Sequence, residues 1–220
     1  MSAVPAPSTG TPTPPPAGVR RALPPPAHSR GAHVRATVVL LVLTLLVSGF
    51  VYPLVVTGIA QVLDPNAANG SLLKYPNGTV AGSSLIAQNT DAPYLFWERP
   101  SLTDWNTTNG TVAPFGPSDP ALAAWFNETI AYMREYGNYT VNASLPIWLV
   151  SPSASGVDPD LTPEAVLVQV PRVANATHQS IAVITGLVNA HITNPPIPYL
   201  GVAYVNVLRL DLDLVAAFGR

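Results

Sequence analysis

Serine, aspartate and histidine side chains that could form a hydrolase triad occur in the second half of the chain. Ser153 and Ser155 are followed closely by Asp158, and His178 comes later. In such a triad the histidine takes the serine proton and the aspartate orients the histidine. These serines lack the Gly-x-Ser-x-Gly context that exposes a nucleophile on a strand–turn–helix. An enzyme is therefore the least favoured class of function.

Histidine and cysteine give no metal or thiolate chemistry. His28 and His33 precede a long apolar segment, so only His178 and His191 could serve the part that follows it. Their spacing does not match that of a zinc site. The chain has no Cys, which excludes disulfides and thiolate catalysis. No metal, directly bound cofactor or nucleic-acid partner is predicted.

Residues 36–63 contain no charged side chain and are dominated by Val, Leu and Ile. A bilayer core of about 30 Å needs roughly 20 such residues in a helix, so this segment predicts a single transmembrane helix. The apolar region of a cleaved signal peptide normally has about 7 to 15 residues and ends at a small-residue cleavage site. That alternative fits less well, as does the core helix of a soluble protein.

Charge predicts the orientation of this helix. Arg20, Arg21, Arg30 and Arg35 precede the apolar segment, whereas every Asp and Glu follows it. Because Lys and Arg resist translocation, the N-terminus is expected in the cytoplasm and the C-terminal domain outside, in a single-pass cell-membrane protein. Eight Asn-x-Ser/Thr sequons agree with an exposed outer surface open to glycosylation: Asn69, Asn77, Asn106, Asn109, Asn127, Asn138, Asn142 and Asn175.

The sequence thus predicts three parts. Residues 1–35 form a proline-rich cytoplasmic tail, expected to be disordered, with a ligand for a proline-recognising module as the alternative interpretation. Residues 36–63 form the transmembrane helix. Residues 64–220 form an extracytoplasmic α+β domain. The fold class is a single N-terminal transmembrane helix plus this domain.

Local signals place the helices of that domain. Asp119 and Pro120 start a helix that Gly137 ends, since an acidic cap and a proline in the first turn favour a helix start. Thr162 starts a second helix, with a break expected near Val170 because Pro171 follows. Residues 178–192 predict a third helix.

Strands are predicted on both sides of these helices. Asn-Gly pairs, such as the one at Asn77, predict turns and short strands within residues 64–118. Residues 145–150 read as a short buried strand. Residues 204–214 alternate Leu with Arg and Asp, which predicts a half-buried strand with Asp211 and Asp213 on its wet face. Asn206 falls on the apolar face and is expected to pin a neighbouring loop or to line a site.

Six polar and turn clusters follow one another in an order that resembles the C subunit of the Kdp-type potassium-transporting ATPase, the KdpC family. The resemblance covers about residues 36–214. It starts in the apolar segment, whose end resembles the end of that family's membrane helix: Tyr52-Pro53-Leu54-Val55-Val56-Thr57-Gly58-Ile59-Ala60-Gln61. The clusters are Ala68-Asn69-Gly70-Ser71, Gly82-Ser83-Ser84-Leu85-Ile86-Ala87-Gln88, Glu98-Arg99-Pro100-Ser101, Ser153-Ala154-Ser155-Gly156-Val157-Asp158-Pro159, Gln169-Val170-Pro171-Arg172-Val173-Ala174 and Val205-Asn206-Val207-Leu208.

The resemblance implies a non-catalytic accessory subunit of an ATP-driven potassium importer. Its partners would be a channel-like potassium-binding subunit and a P-type ATPase subunit, together with membrane lipid. ATP and potassium would belong to the complex rather than to this chain. A role as a catalytic chaperone that raises the ATP affinity of the ATPase subunit is also implied. The alternative is a free-standing single-pass surface glycoprotein or ligand-binding module.

Two sets of site residues are suggested, the first by this resemblance and the second by the composition of the apolar helix. The first would hold the loops of the outer domain together or dock them on a partner: Asn69, Gly70, Ser71, Gln88, Arg99, Ser155, Asp158, Gln169, Arg172 and Asn206. The second interrupts the apolar helix and would pack it against a partner helix, since small residues allow close approach: Gly49, Tyr52, Pro53, Thr57 and Gly58.

Overall fold

A computed structural model of the chain describes residues 30–90, 92–108, 115–137, 139, 144–197 and 199–219. The predicted proline-rich tail lies almost entirely outside these residues, as do the sequons at Asn109, Asn138 and Asn142. The chain divides into two compact units, Met1–Leu54 and Val55–Arg220. The division falls within the long N-terminal helix.

That helix is Arg30–Leu63, 34 residues long. It consists of α1 (Arg30–Leu46), a π-helical turn (Val47–Val51) and α2 (Tyr52–Leu63). At 1.5 Å per residue its length is about 50 Å, which exceeds the hydrocarbon core of a bilayer. Its length and apolar composition are those of a membrane span, and its side chains are exposed.

A proline accounts for the π-helical turn. Pro53 has no N–H to donate to the carbonyl of Gly49, four residues earlier, and its ring would clash with that carbonyl. The helix widens at this point, so that the N–H of Tyr52 donates to the carbonyl of Val47, five residues earlier. The interruption foreseen around these residues is therefore a local widening of a continuous helix.

A short helix and a hairpin follow. After α3 (Pro65–Ala68), β1 (Leu72–Lys74) pairs antiparallel with β2 (Val80–Ser83), and Leu72 lies opposite Ser83. The connecting turn has Gly78 at φ +85°, a conformation that glycine adopts without strain. The turn and the short strands predicted in this region are confirmed.

The helix predicted after Asp119 is also confirmed. It is α4 (Pro120–Tyr136), and the Asp119 carboxylate accepts a hydrogen bond from the N–H of Ala121 at 2.8 Å. Met133 is the one buried residue of this helix. This helix therefore lies at the surface of the domain.

The strand predicted for residues 145–150 is wrong. Residues Ile147–Val150 form one helical turn, α5, in which the N–H of Ser151 donates to the carbonyl of Ile147 at 2.8 Å. Leu149 and Val150 are buried, as expected. An apolar run this short buries equally well as a strand or as a helical turn, so its hydrophobicity cannot distinguish them.

Three helices follow, as the sequence predicts. They are α6 (Pro163–Leu167), α7 (Val170–Thr177) and α8 (Ile181–Ala190). The break between α6 and α7 lies at Val168 and Gln169, next to the expected position near Val170, and Pro171 occupies the first turn of α7. Ser180 caps α8 by accepting the N–H of Val183 at 3.3 Å.

The strand predicted for residues 204–214 is wrong over most of its length. Tyr204 forms an antiparallel bridge with Thr193, and β4 (Val205–Asn206) pairs antiparallel with β3 (Asp160–Leu161). The chain then enters α9 (Val207–Phe218). Its buried side chains recur at helical spacing and are Val207, Leu208, Leu210, Asp211 and Leu214.

This correction separates the two aspartates that the sequence placed on one wet face. Asp211 is buried in the helix, whereas Asp213 is exposed and contacts the imidazole of His191 at 2.9 Å. The second unit is thus a mixed fold of helices and two small two-stranded sheets, and apolar side chains from α5 to α9 meet Phe96 and Trp97 in its core.

Candidate functional site

Residues 95–99, which we call the pinned segment, run through the core without joining a sheet. Their backbone groups need partners because buried amides are costly to leave unpaired. Buried side chains from distant parts of the chain supply these partners. Of the site residues suggested by the sequence, the resulting polar network contains Gln169, Arg172, Arg99 and Asp158.

Gln169 is the centre of this network. It is fully buried, and its side-chain amide pairs with both backbone groups of Trp97: Oε1 accepts from the N–H at 2.8 Å and Nε2 donates to the carbonyl at 3.0 Å. Nε2 also donates to the carbonyl of Ala165 at 3.1 Å. The Gln169 side chain thus makes the two hydrogen bonds to the backbone of Trp97 that a neighbouring strand would otherwise make.

Arg172 extends the network to the start of the pinned segment. Its Nη1 donates to the carbonyls of Pro93 at 2.6 Å and Leu95 at 2.9 Å, and its Nη2 donates to Gln169 Oε1 at 2.7 Å. The guanidinium lies 4.2 Å from the ring centroid of Trp97, within range of a cation–π interaction. Burial lowers the pKa of Arg172 below its ordinary value.

Two buried carboxyl groups hold the middle of the segment, and the sequence analysis assigned no role to either. Asp211 Oδ1 accepts the N–H of Phe96 at 2.9 Å, and Glu98 Oε2 accepts the N–H of Gln88 at 2.9 Å. Burial raises the pKa of Asp211 well above its ordinary value. Burial also raises the pKa of Glu98 to about 9, and nearby carboxyl groups, Asp211 first, add to this rise. Glu98 is therefore protonated at neutral pH.

Arg99 connects the end of the pinned segment to the serine-rich loop. Its Nη1 contacts Asp158 Oδ2 at 3.1 Å, and its Nε donates to the carbonyl of Ser151 at 3.2 Å. Its Nη2 donates to the carbonyl of Pro152 at 3.2 Å, and its guanidinium lies 4.6 Å from the ring centroid of Trp148. A guanidinium suits this position because it donates in several directions in one plane.

The serines and the aspartate that suggested a triad serve the same loop. Ser153 Oγ lies 3.2 Å from Ser155 Oγ and accepts the N–H of Asp158 at 3.3 Å. His178 ends α7 with φ +57°, and within the part of the chain that the structure describes no hydrogen bond joins it to either serine. These contacts organise a loop and do not form a nucleophile–base pair.

Asn206 joins three elements. Its Nδ2 donates to the carbonyl of Ser84 and to Asp160 Oδ1, both at 2.9 Å, and its Oδ1 accepts the N–H of Arg209 at 3.3 Å. It therefore pins a loop, as one of the two sequence-based interpretations held, and also caps α9. Burial raises the pKa of Asp160, against the lowering effect of this hydrogen bond.

The remaining site residues of the domain lie near the hairpin. Asn69 and Gln61 exchange two side-chain hydrogen bonds, at 3.1 Å and 3.2 Å, which tie the turn after α3 to the end of α2. Gly70 and Ser71 offer their carbonyls to Ser83 and Ser84. Gln88 packs against Gly82 so closely that a side chain there would overlap it.

The second set of site residues lies in the helix Arg30–Leu63. Gly49 is in the π-helical turn, and Tyr52, Pro53, Thr57 and Gly58 are in α2, all with exposed side-chain positions. Thr57 follows Pro53 by four residues, so these two share one face of α2. Their role in packing against a partner stays a prediction.

The contacts of this network are those of side chains that hold loops in place. Most of its donors and acceptors are paired with one another, and among the described residues no group of three His, Cys, Asp or Glu side chains is arranged to hold a metal ion. The sequence contains an indication of the role of each buried acid, Glu98 and Asp211. Glu98 belongs to the cluster around Arg99, and Asp211 follows the buried Val207 by four residues, which is a helical spacing.

Comparisons with known proteins agree on one family. The model of a family described as "KdpC: K+-transporting ATPase, c chain" matches residues 34–216. Among curated relatives, a potassium-transporting ATPase KdpC subunit from Geobacter sulfurreducens is 38% identical over 184 residues, covering 82% of this chain and 96% of that protein. The KdpC subunit from Methanosphaerula palustris is 43% identical over 183 residues, covering 83% and 96%. The KdpC subunit from Burkholderia cenocepacia is 41% identical over 187 residues, covering 84% and 96%.

Proposed function

The chain belongs to the KdpC family, the c chains of K+-transporting ATPases, and on that premise we propose that it is an accessory, non-catalytic subunit of an ATP-driven potassium importer. Its role is to assemble and stabilise the complex. The observation that carries this role is a membrane-length helix followed by a domain whose buried polar groups serve its own loops. The family match favours this function over a free-standing surface glycoprotein.

Its partners in this proposal are a channel-like potassium-binding subunit and a P-type ATPase subunit. ATP and potassium are bound by these partners. An effect on ATP affinity, which the family resemblance implies, would pass through the membrane helices as a coupling between two sites.

Co-expression tests the assembly role directly. With an affinity tag on this chain, the channel-like and ATPase subunits encoded with it should co-purify in nonionic detergent. Omitting this chain should lower the yield of the complex formed by the other two. A chain that purifies alone as a stable monomer in their presence would contradict the proposal.

The proposed topology has residues 1–35 in the cytoplasm, residues 36–63 in the membrane and residues 64–220 outside. The arginine distribution supports it. Because the chain has no Cys, single cysteines can be introduced as reporters. Tyr199→Cys, at a position 85% exposed, should react with a membrane-impermeant maleimide on intact cells, whereas Ser8→Cys should react only after lysis. The reverse pattern would overturn the orientation.

We further propose that the helix docks through the face that carries Pro53 and Thr57. A photoreactive residue at Thr57 should crosslink to a protein partner. The matched control is Val55, which lies two residues earlier and so points to nearly the opposite side of α2. Equal crosslinking from both positions, or labelling of lipid alone from both, would count against a docking face.

To test whether the domain docks on a partner, the substituted residue should lie outside the buried network. Arg172→Ala would leave the carbonyls of Pro93 and Leu95 without partners, so lost assembly could reflect lost folding. Asn69 is exposed and offers a cleaner test. Asn69→Ala should fold normally, and reduced co-purification would then indicate docking near α3.

A further inference from the structure

A cleft of about 390 Å³ lies between α4 and the end of the pinned segment, and Trp97 and Glu98 of that segment line it. This volume is in the range of small-molecule sites. Four aromatic side chains line it. Trp97 is buried, while Trp105, Trp125 and Tyr132 are partly exposed.

The acidic side chains that line the cleft have no basic counterpart among the described residues. Glu98, Asp104 and Glu128 line it, and no Lys, Arg or His does so among the described residues. Asp104 and Glu128 are both exposed. Asp104 lies in a turn, and Glu128 lies on α4. The lining therefore disfavours an anion and favours a positive charge.

Glu98 supplies an independent sign of a missing partner. It is only 3% exposed, and its Oε1 makes no hydrogen bond in the described part of the chain. A buried carboxyl oxygen without a partner lowers stability, and the charge of a cation beside this carboxyl would offset that cost. Such a cation would also favour the ionised form of Glu98, whose pKa burial raises to about 9.

We propose that this cleft is a binding site for a small organic cation, an alkylammonium compound. Aromatic rings attract cations through the negative faces of their π systems, and quaternary ammonium groups are typical ligands of such rings. Trp97 and Tyr132 have ring centroids 5.8 Å apart, so they already form one corner of an aromatic wall. The methyl groups of the ligand pack on the rings, while its charge is balanced by the acidic side chains.

Fluorescence of the full-length chain in dodecyl maltoside tests this proposal. The chain has four Trp, of which three line the cleft. Trp148→Phe removes the fourth and keeps an aromatic ring beside Arg99. Choline chloride is the cationic probe, and 3,3-dimethyl-1-butanol is its neutral analogue of the same shape. Choline should change the fluorescence saturably and bind at least tenfold more tightly than the neutral analogue, and KCl at equal concentration should not replace it.

Two acidic variants locate the binding. Glu128→Gln and Asp104→Asn should each weaken choline binding by about three- to tenfold; Asn tolerates the φ of +51° that Asp104 adopts. Glu135→Gln, on the same helix but outside the lining, is the matched control and should stay within twofold. Three results would overturn the proposal: no saturable change, equal binding of the neutral analogue, or equal affinities in all three variants.

Discussion

The pinned segment and the hairpin β1–β2 fix an extended stretch of chain in opposite ways. In the hairpin, backbone groups of neighbouring residues pair with each other, and most side chains are exposed or half-exposed. In the pinned segment, the partners are side chains 72, 77 and 115 positions away in sequence. The contacts of the hairpin are therefore local and exposed to solvent, whereas those of the pinned segment are long-range and buried.

The difference determines what the loss of one contact costs. Water can replace a partner in an exposed hairpin, so a weakened turn opens locally. No water reaches the fully buried side chain of Gln169, so removing it leaves several buried groups unpaired at once. The pinned segment should therefore report on global stability, and the hairpin on local opening.

Gln169→Ala should give the largest effect. It removes the partners of the Trp97 N–H, the Trp97 carbonyl and Arg172 Nη2, and leaves a cavity. We expect a loss of about 4 kcal/mol in the free energy of unfolding. Urea unfolding of the full chain in nonionic detergent, followed by Trp fluorescence, measures this loss.

Gln179→Ala is the matched control for that change. Its amide makes one long contact, 3.5 Å to the carbonyl of Thr177, and it is only half-buried. The expected loss is under about 1 kcal/mol. Similar losses for the two variants would break the contrast between buried and exposed partners.

The pH dependence of stability gives the next largest effect. The pKa of Glu98 is about 9 in the folded chain against an ordinary value of 4.5, so between these values the folded state holds a proton that the unfolded state has lost. The contribution of this proton to stability is therefore complete below pH 4.5 and is lost as the pH rises towards 9. Each unit within this window costs about 1.4 kcal/mol, or about 3 kcal/mol from pH 6 to 8.

Glu98→Gln isolates this contribution. Glutamine resembles the protonated acid and keeps an acceptor for the N–H of Gln88. The variant should lose less stability between pH 6 and 8 than the unmodified chain, by about 1.4 kcal/mol per unit. Asp211, whose pKa is also raised, keeps part of the slope in both proteins. Parallel stability curves would show that Glu98 is not protonated in the fold.

Local signals were enough to predict several helices from the sequence. Asp119 with Pro120, and Pro171 within its apolar run, act on their own backbone neighbours, so their effects do not depend on the rest of the fold. The same is true of the Asn-Gly turn of the hairpin. The membrane-length helix was evident because a long uncharged apolar run has few alternatives.

The network could be predicted only in part. Gln169, Arg172 and Asn206 were noticed through family resemblance, yet their partners lie too far along the chain for spacing to indicate them. Asp211 was misplaced because residues 204–214 alternate in the manner of a strand. When the same residues form a helix, Val207, Asp211 and Leu214 are buried together. Tertiary packing therefore favours the helix over the strand.

The smallest expected effect sharpens the comparison most. Gly78→Ala places a Cβ at φ +85°, which should weaken the turn of the hairpin by about 1 kcal/mol. If the hairpin opens locally, hydrogen exchange of peptides covering β1 and β2 should become about fivefold faster, while peptides covering the pinned segment keep their protection. Gly116→Ala is the control, because its Cβ would meet nothing within 4 Å and its φ is not in the left-handed region. Faster exchange in the pinned segment as well would mean that the hairpin and the buried network unfold together, and that the two arrangements form one cooperative unit.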